Sequence, residues 1–333
     1  MRWSRLGALL AASLALGCLP DVTPPDFGDG GGAAHDGGTA DGGTADGGTL
    51  DSEPRVYVMD PGGRGLFHVA LDGTDAVTLL GSELDAARGL GLDPEAGRLY
   101  WGERANPGRL RRISTTGGAV ETAVVDVPWP DEVRVHPSAG FVYWHDELNG
   151  NLQGIWRAAL DGTGATELLR SEDLETADAE HSPGAFVVDE ERGKIYWAKE
   201  VVFDANGFSD AATLMVSELD GTGAEPLLEV AEGINGLALD AARGQLYFTT
   251  ELTVGAVERV DVDGTSRERL LDATRPGDIA LEPESGALLF IAEDASGPAL
   301  WRAALDGTGA EVVVPGEVLD YPYGLAVGPG PAP

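Results

Sequence analysis

Cysteine is nearly absent from this chain: Cys18 is the only one in 333 residues. No intrachain disulfide can form, so stability has to come from a buried core. Lysine is almost as scarce, with Lys194 and Lys199 alone. Lysine and arginine together number 22 against 56 aspartates and glutamates, a formal charge of −34. A chain so poor in positive charge lacks the basic surface that nucleic acid requires. It also has no unaided attraction to anionic lipid headgroups. The five histidines (His35, His68, His136, His145 and His181) form no His-x-x-x-His or Glu-x-x-His pair, so zinc-ligand spacing is missing. There is no Gly-x-Ser-x-Gly elbow. "GLGLDPEAG" (89–97) lacks dinucleotide-binding spacing and reads as strand plus turn. No window carries an amphipathic helix of useful length. No catalytic residue, metal ligand or cofactor is assigned on these grounds.

What is present begins with a targeting pattern. Met1 to Arg5 is short and basic, and Leu6 to Gly17 ("LGALLAASLALG") is an apolar run too short to span a bilayer comfortably. It ends in "LALGC", which resembles a bacterial lipobox. The resemblance implies a signal peptide over 1–17 and lipidation of Cys18. The product would be a lipid-anchored protein of the bacterial cell envelope, at the outer membrane or cell surface. Residues 18–52 then read as a linker. "DGGTADGGTADGGTL" (36–50) repeats every five residues, has no apolar face to bury, and carries aspartates that repel one another. Such a tether reaches ~30 Å.

From residue 53 to 333 a longer period takes over. An aromatic column, Tyr57, Tyr100, Tyr143, Tyr196 and Tyr247, ends at Leu289 with spacings of 43, 43, 53, 51 and 42. Each unit holds four apolar runs of four to six residues, rich in Val, Leu, Ile and aromatics and separated by Gly, Asp and Pro. That is a strand signature. Four strands per unit of 40–50 residues is the arithmetic of a β-propeller blade. The chain enters at "RVYV" (55–58), equivalent to a second strand, and leaves at "GLAVG" (324–328), equivalent to a first. The fold expected is therefore an all-β, six-bladed propeller closed by its own termini, leaving no open edge.

One hexapeptide recurs within these units. "ALDGTG" stands at 159–164 and 304–309, with close copies at 70–75, 218–223 and 261–266. It always falls between the third and fourth runs. A calcium loop needs more oxygen ligands at set intervals, and a P-loop needs Gly-Lys-Ser/Thr opening a helix. Asp-Gly between strands is instead a hairpin signal. Unit 2 departs from it, with "STTGG" (114–118).

The paired "YW" strands (Tyr100-Trp101, Tyr143-Trp144, Tyr196-Trp197), preceded by "GLGLD" or "GLALD" and followed by "ALDGTG", resemble low-density lipoprotein receptor class B (YWTD) repeats. The resemblance covers about 275 residues. It implies a six-bladed propeller used for binding. The Trp-Thr-Asp ending is not kept, and only Tyr143-Trp144-His145-Asp146 retains the Asp. The tryptophans read as packing between blades. His68 and His136 read as structural histidines.

The connections after the second and fourth strands share one end of the propeller and are the long ones: 126–132, 145–154, 170–184, 198–213 and 315–323. Long loops on a rigid scaffold are where function concentrates. Here Trp129, Phe203, Phe208, Tyr321 and Tyr323 stand among Asp131, Asp146, Glu147, Glu180, Glu200 and Asp320, which suits recognition. The candidate ligand residues are Trp129, Asp131, Asp146, Glu147, Phe203, Phe208, Asp320, Tyr321 and Tyr323. The expected molecule is a monomeric, membrane-tethered module for a protein, peptide or glycan. The alternatives are a metal-dependent hydrolase or lactonase-like enzyme using the central channel, and a purely structural envelope protein.

Overall fold

The computed structural model describes residues 53–331, apart from 82–83, 85, 106, 128, 147–153, 175–178, 205–210 and 252–253. The expected signal peptide, Cys18 and linker lie outside the described residues, as do Glu147 and Phe208.

Six four-stranded antiparallel sheets are present, each ordered from an inner to an outer strand. Blade 1 is Gly324–Pro329, Pro54–Asp60, Gly65–Ala70 and Val77–Leu80. Its innermost strand thus comes from the C-terminal end, with Pro54 opposite Pro329 and Met59 opposite Gly324. This is the closure expected from the register of the ends. Blade 2 is Ala87–Asp93, Arg98–Glu103, Gly108–Ser114 and Glu121–Val127. Blade 3 is Pro130–His136, Phe141–Asp146, Gly154–Ala159 and Thr166–Arg170. Blade 4 is Ala179–Asp189, Lys194–Asp204, Ala212–Glu218 and Glu225–Val230. Blade 5 is Gly233–Asp240, Gln245–Glu251, Val254–Asp261 and Glu268–Thr274. Blade 6 is Ile279–Glu282, Ala287–Glu293, Pro298–Ala304 and Glu311–Val314. The six inner strands neighbour one another in turn and close a ring.

The Tyr-Trp dipeptide has a simple explanation in this ring. Successive side chains on a strand point to opposite faces. Each second strand therefore sends its aromatic pair into two different seams. Trp101 packs with Tyr57 of the preceding blade, Trp144 with Tyr100, and Trp197 with Tyr143. Phe248 joins Tyr196, and Phe290 joins Tyr247. The sixth seam holds Leu289 and Val58 instead. All three tryptophans are buried, as expected, and each ring contributes ~1.5–3 kcal/mol by leaving water. His68 and His136 are buried too, and burial pulls both imidazoles below their ordinary range.

The repeated hexapeptide forms hairpin turns, all at one end of the ring. In each copy the aspartate Oδ1 accepts the amide and the hydroxyl of the threonine two residues on, as Asp161 does from Thr163 at 2.9 and 2.7 Å. The glycine that follows serves the neighbouring blade. Gly162 has φ +87, and a Cβ there would sit 2.1 Å from the carbonyl oxygen of Ala123, on the outer strand of blade 2. Gly73 stands in the same relation to Val313 of blade 6. Each turn is pressed against the blade before it, which only glycine permits. Arginine forks tighten the same end: Arg112 donates to the Leu160 carbonyl at 3.0 Å, and Arg157 to the Leu219 carbonyl at 3.1 Å, each crossing to the next blade. A planar fork suits these contacts better than a lysine point charge.

At the opposite end two stretches differ from expectation. Residues 170–184 and 198–213 are not wholly loop. Ala179–Asp189 and Lys194–Asp204 form an extended antiparallel arm, with Ala179 opposite Asp204. Val201, Val202 and Phe203 are strand formers, and pairing satisfies the amides that a loop would leave to water.

Candidate functional site

The candidate surface is the long-loop end, built outward from a buried carboxylate. Asp60 closes the second strand of blade 1 and is fully buried. Its carboxylate accepts the backbone amides of Arg64 at 3.1 Å, Asp320 at 3.2 Å and Tyr321 at 2.8 Å. The Tyr323 amide donates to Met59, and the Tyr323 carbonyl accepts from Gly89. The 315–323 connection is thereby fixed at several points between blades 1 and 2. It presents two stacked rings, Tyr321 and Tyr323, with centroids 6.1 Å apart. Their exposures are 58% and 36%, which makes them the exposed aromatics among the described residues. Asp320 beside them is exposed.

Arginine backs this pair. The Arg88 guanidinium lies over the Tyr323 ring at 3.5 Å from its centroid. Arg88 also approaches Asp131 at 3.9 Å, and Arg104 binds Asp131 at 2.8 Å. Asp131 is thus drawn into the patch as a salt-bridge hub. His145 is buried nearby. Burial lowers its pKa to about 4, with Asp131 opposing and Arg104 reinforcing the shift, so it is neutral at pH 7. Trp129, half-buried, sits with φ +42 and donates its amide to Ala105 at 3.4 Å. A bulky residue at positive φ is a strained arrangement that the surrounding structure has to impose.

The structure brings Asp131, Asp320, Tyr321 and Tyr323 to this end, with Trp129 at its rim. Asp146 is placed otherwise. It is fully buried, and its Oδ1 accepts the Gly154 amide at 2.5 Å, tying the ends of its own hairpin together. Burial raises its carboxyl to about 7. Phe203 lies in the extended arm, and its side chain is outside the described residues.

Sequence reasoning did not find Arg88 or Arg104, nor the groups at the ring's centre. Glu132 and Arg134 alternate along the inner strand of blade 3 and form an ion pair. Arg134 also reaches Asp278, which precedes the inner strand of blade 6, at 3.4 Å. Asp278 accepts the amides of Ile279 and Leu325, both at 2.8 Å, and Glu132 accepts that of Phe186 at 3.1 Å. Blades 1, 3, 4 and 6 are thus linked through one polar crossbar. Burial pushes the Glu132 carboxyl up to about 8, against the pull of the Arg134 guanidinium. The arginine fills the space between the two carboxylates. Among the described residues no three His, Cys, Asp or Glu side chains form a group that could hold a metal ion.

No protein-family model matches the chain. Its sequence is 26% identical over 182 residues to a human low-density lipoprotein receptor-related protein 5-like protein, covering 54% of this chain and 64% of that one. It is 24% identical over 218 residues to low-density lipoprotein receptor-related protein 1 of Pyricularia oryzae, covering 58% and 68%. The chain is a six-bladed propeller similar to the low-density lipoprotein receptor-related proteins. The resemblance read from the YW strands is borne out, although the match spans less than two thirds of the human relative. Among solved structures, a nidogen/laminin complex shares the fold, with TM-score 0.67 and 20% identity over 82% of this chain and 98% of that chain. A gluconolactonase from Xanthomonas campestris shares it more distantly, with TM-score 0.56 and 15% identity over 74% and 84%.

Proposed function

We propose that this chain is an envelope lipoprotein, anchored through Cys18, whose propeller presents its long-loop end to a protein ligand. The observation that carries the reading is the tyrosine pair. Tyr321 and Tyr323 are exposed on a connection that Asp60 holds rigid, and rigid aromatics supply contact area at low entropic cost. Chain direction agrees with this arrangement. The strand Pro54–Asp60 starts at the end carrying the Asp-Gly-Thr turns and runs toward the tyrosines. The first described strand therefore begins at the end away from the candidate surface. The similarity to receptor-related proteins favours a protein partner over a glycan.

The test is capture from envelope extract by the full-length chain, compared with a Trp129→Ala/Tyr321→Ala/Tyr323→Ala variant. A specific partner retained by the parent and lost by the folded variant is expected. Equal capture by both would remove the long-loop end from consideration.

A lactonase-like hydrolase is the second reading, favoured by the fold of the gluconolactonase neighbour. Its chemistry would have to run at the channel, where Arg134 stands between Glu132 and Asp278. Lactone turnover abolished by Glu132→Gln would support that reading.

A further inference from the structure

Blade 2 is the one whose third-to-fourth-strand turn lacks the aspartate, and a cavity of about 200 Å³ lies beside that turn. Arg98, Arg112, Ser114, Gly117 and Glu121 are among its walls. Arg98 opens the second strand and lies opposite Ser114, while Arg112 lies opposite Tyr100. The period of two along a strand puts both arginines and the serine on one face of the sheet. Arg112 is committed: it binds Glu121 at 2.8 Å and the Leu160 carbonyl at 3.0 Å. Arg98 is half-buried, and among the described residues its guanidinium has no hydrogen-bond or ion-pair partner.

The other blades show what belongs opposite such a residue. In blade 4 the equivalent Lys194 lies opposite Glu218 and binds it at 2.5 Å. In blade 5 Gln245 lies opposite Asp261 and donates to it at 3.2 Å. In blade 1 Arg55 lies opposite Ala70 but approaches Asp75 at 3.9 Å. Blades 3 and 6 carry Phe141 and Ala287 there, which need no partner. Blade 2 keeps the cation and replaces the acid with serine. Two guanidiniums and one carboxylate leave the cavity with one positive charge in excess, in a chain of formal charge −34.

We propose that this cavity is a binding site for a small oxyanion, of carboxylate or phosphate size, held by Arg98 and Ser114. A guanidinium fork receives two oxygens side by side. The Ser114 hydroxyl accepts the Thr116 amide at 3.1 Å and lies 2.7 Å from the Thr116 hydroxyl, so it can turn its own proton to the anion when Thr116 donates to it. A cavity of about 200 Å³ has room for a free ion or the acidic tip of a larger ligand. The long-range field of the acidic chain opposes anions, but beyond ~8 Å it is screened at physiological salt. A millimolar affinity is the scale expected for one fork and one hydroxyl. The site lies at the end opposite the tyrosine patch, so it stands or falls independently of the proposed function.

The experiment titrates sodium acetate and sodium phosphate into the full-length chain at constant ionic strength, reading the melting temperature. Arg98→Gln serves as the control for the non-specific stabilisation that phosphate gives any protein. The parent is expected to show a saturable rise whose half-point Arg98→Gln moves at least tenfold to higher anion. A stronger acetate response assigns a carboxylate ligand, and a stronger phosphate response a phosphorylated one. Ser114→Asp supplies the missing acid as blades 4 and 5 do, so it should raise the melting temperature and erase the anion response. Equal responses from parent and Arg98→Gln, or an undiminished response in folded Ser114→Asp, would overturn the proposal.

Discussion

Arg134 of blade 3 reaches across the centre of the ring to Asp278, 144 residues away in sequence, while also holding Glu132 two positions before it. Truncating Arg134 leaves the Asp278 carboxylate without its guanidinium, beside a Glu132 carboxyl that keeps its proton up to about pH 8. Arg134→Ala is therefore expected to cost ~3–5 kcal/mol, the usual penalty for breaking an enclosed ion pair from one side. Denaturant unfolding checks it. A loss below 1 kcal/mol would show the crossbar to be solvated in solution.

The same crossbar makes stability depend on pH. The folded chain holds the Glu132 proton up to about pH 8, and the Asp146 proton up to about pH 7. An unfolded chain releases both near pH 4 to 4.5. Between those limits the folded state binds more protons, so stability is full below pH 4 on this account and drains as pH rises to 8. The slope reaches ~1.4 kcal/mol per pH unit for each group. Glu132→Gln should flatten the upper part of that decline, between pH 7 and 8. Urea midpoints measured from pH 5 to 9 decide the matter, and a parent curve rising across this range would contradict it.

Asp60 supports the tyrosine patch without touching solvent. Asp60→Ala removes the acceptor of three backbone amides and is expected to cost ~3 kcal/mol. Hydrogen exchange at Tyr321 and its neighbours should accelerate well before the rest of the blade. Tyr321→Ala, by contrast, changes stability by less than ~0.5 kcal/mol, since that ring is mostly in water. If partner capture falls in both variants, the patch acts as a rigid unit.

Two glycines in one turn separate local strain from seam packing. Gly164 has φ +68 with nothing within 4 Å of a built Cβ, so Gly164→Ala costs only the ~1 kcal/mol of a left-handed backbone. Gly162→Ala meets the Ala123 carbonyl oxygen at 2.1 Å and has to push blades 2 and 3 apart. Its penalty should exceed that of Gly164→Ala by at least 2 kcal/mol. Similar melting temperatures for the two variants would mean the seam yields easily.

The propeller was legible because its determinants are local and repeated. The tyrosine column, the Asp-Gly-Thr turns and the mismatched ends each occupy a few consecutive residues, and the ring repeats them. The candidate surface was legible only in part. Tyr321, Tyr323 and Asp131 stand out as aromatics and acids on a long connection, but nothing near Arg88 announces that it will stack on Tyr323. Ring closure brings Asp60 against residues 260 positions later and Arg134 against Asp278, and no local pattern encodes such meetings. Asp146 misled for a related reason. A carboxylate at the mouth of a long connection reads as exposed, yet its hairpin needed a buried acceptor for the Gly154 amide. The blade 4 arm is hidden because Val201 to Phe203 run straight into the polar, glycine-containing stretch that follows them.

The glycine contacts at the hairpin end also limit where the chain can grow. A residue added to any of the five Asp-Gly-Thr turns would wedge two blades apart, whereas the connections at the other end already differ in length from blade to blade. The spacings of 53 and 51 after Tyr143 and Tyr196, against 42 or 43 elsewhere, show where extra length has been taken up: the extended arm of blade 4 lies within the span they cover. An epitope tag, a grafted loop or a fused domain should follow the same route, entering between second and third strands and leaving the ring's circumference unchanged.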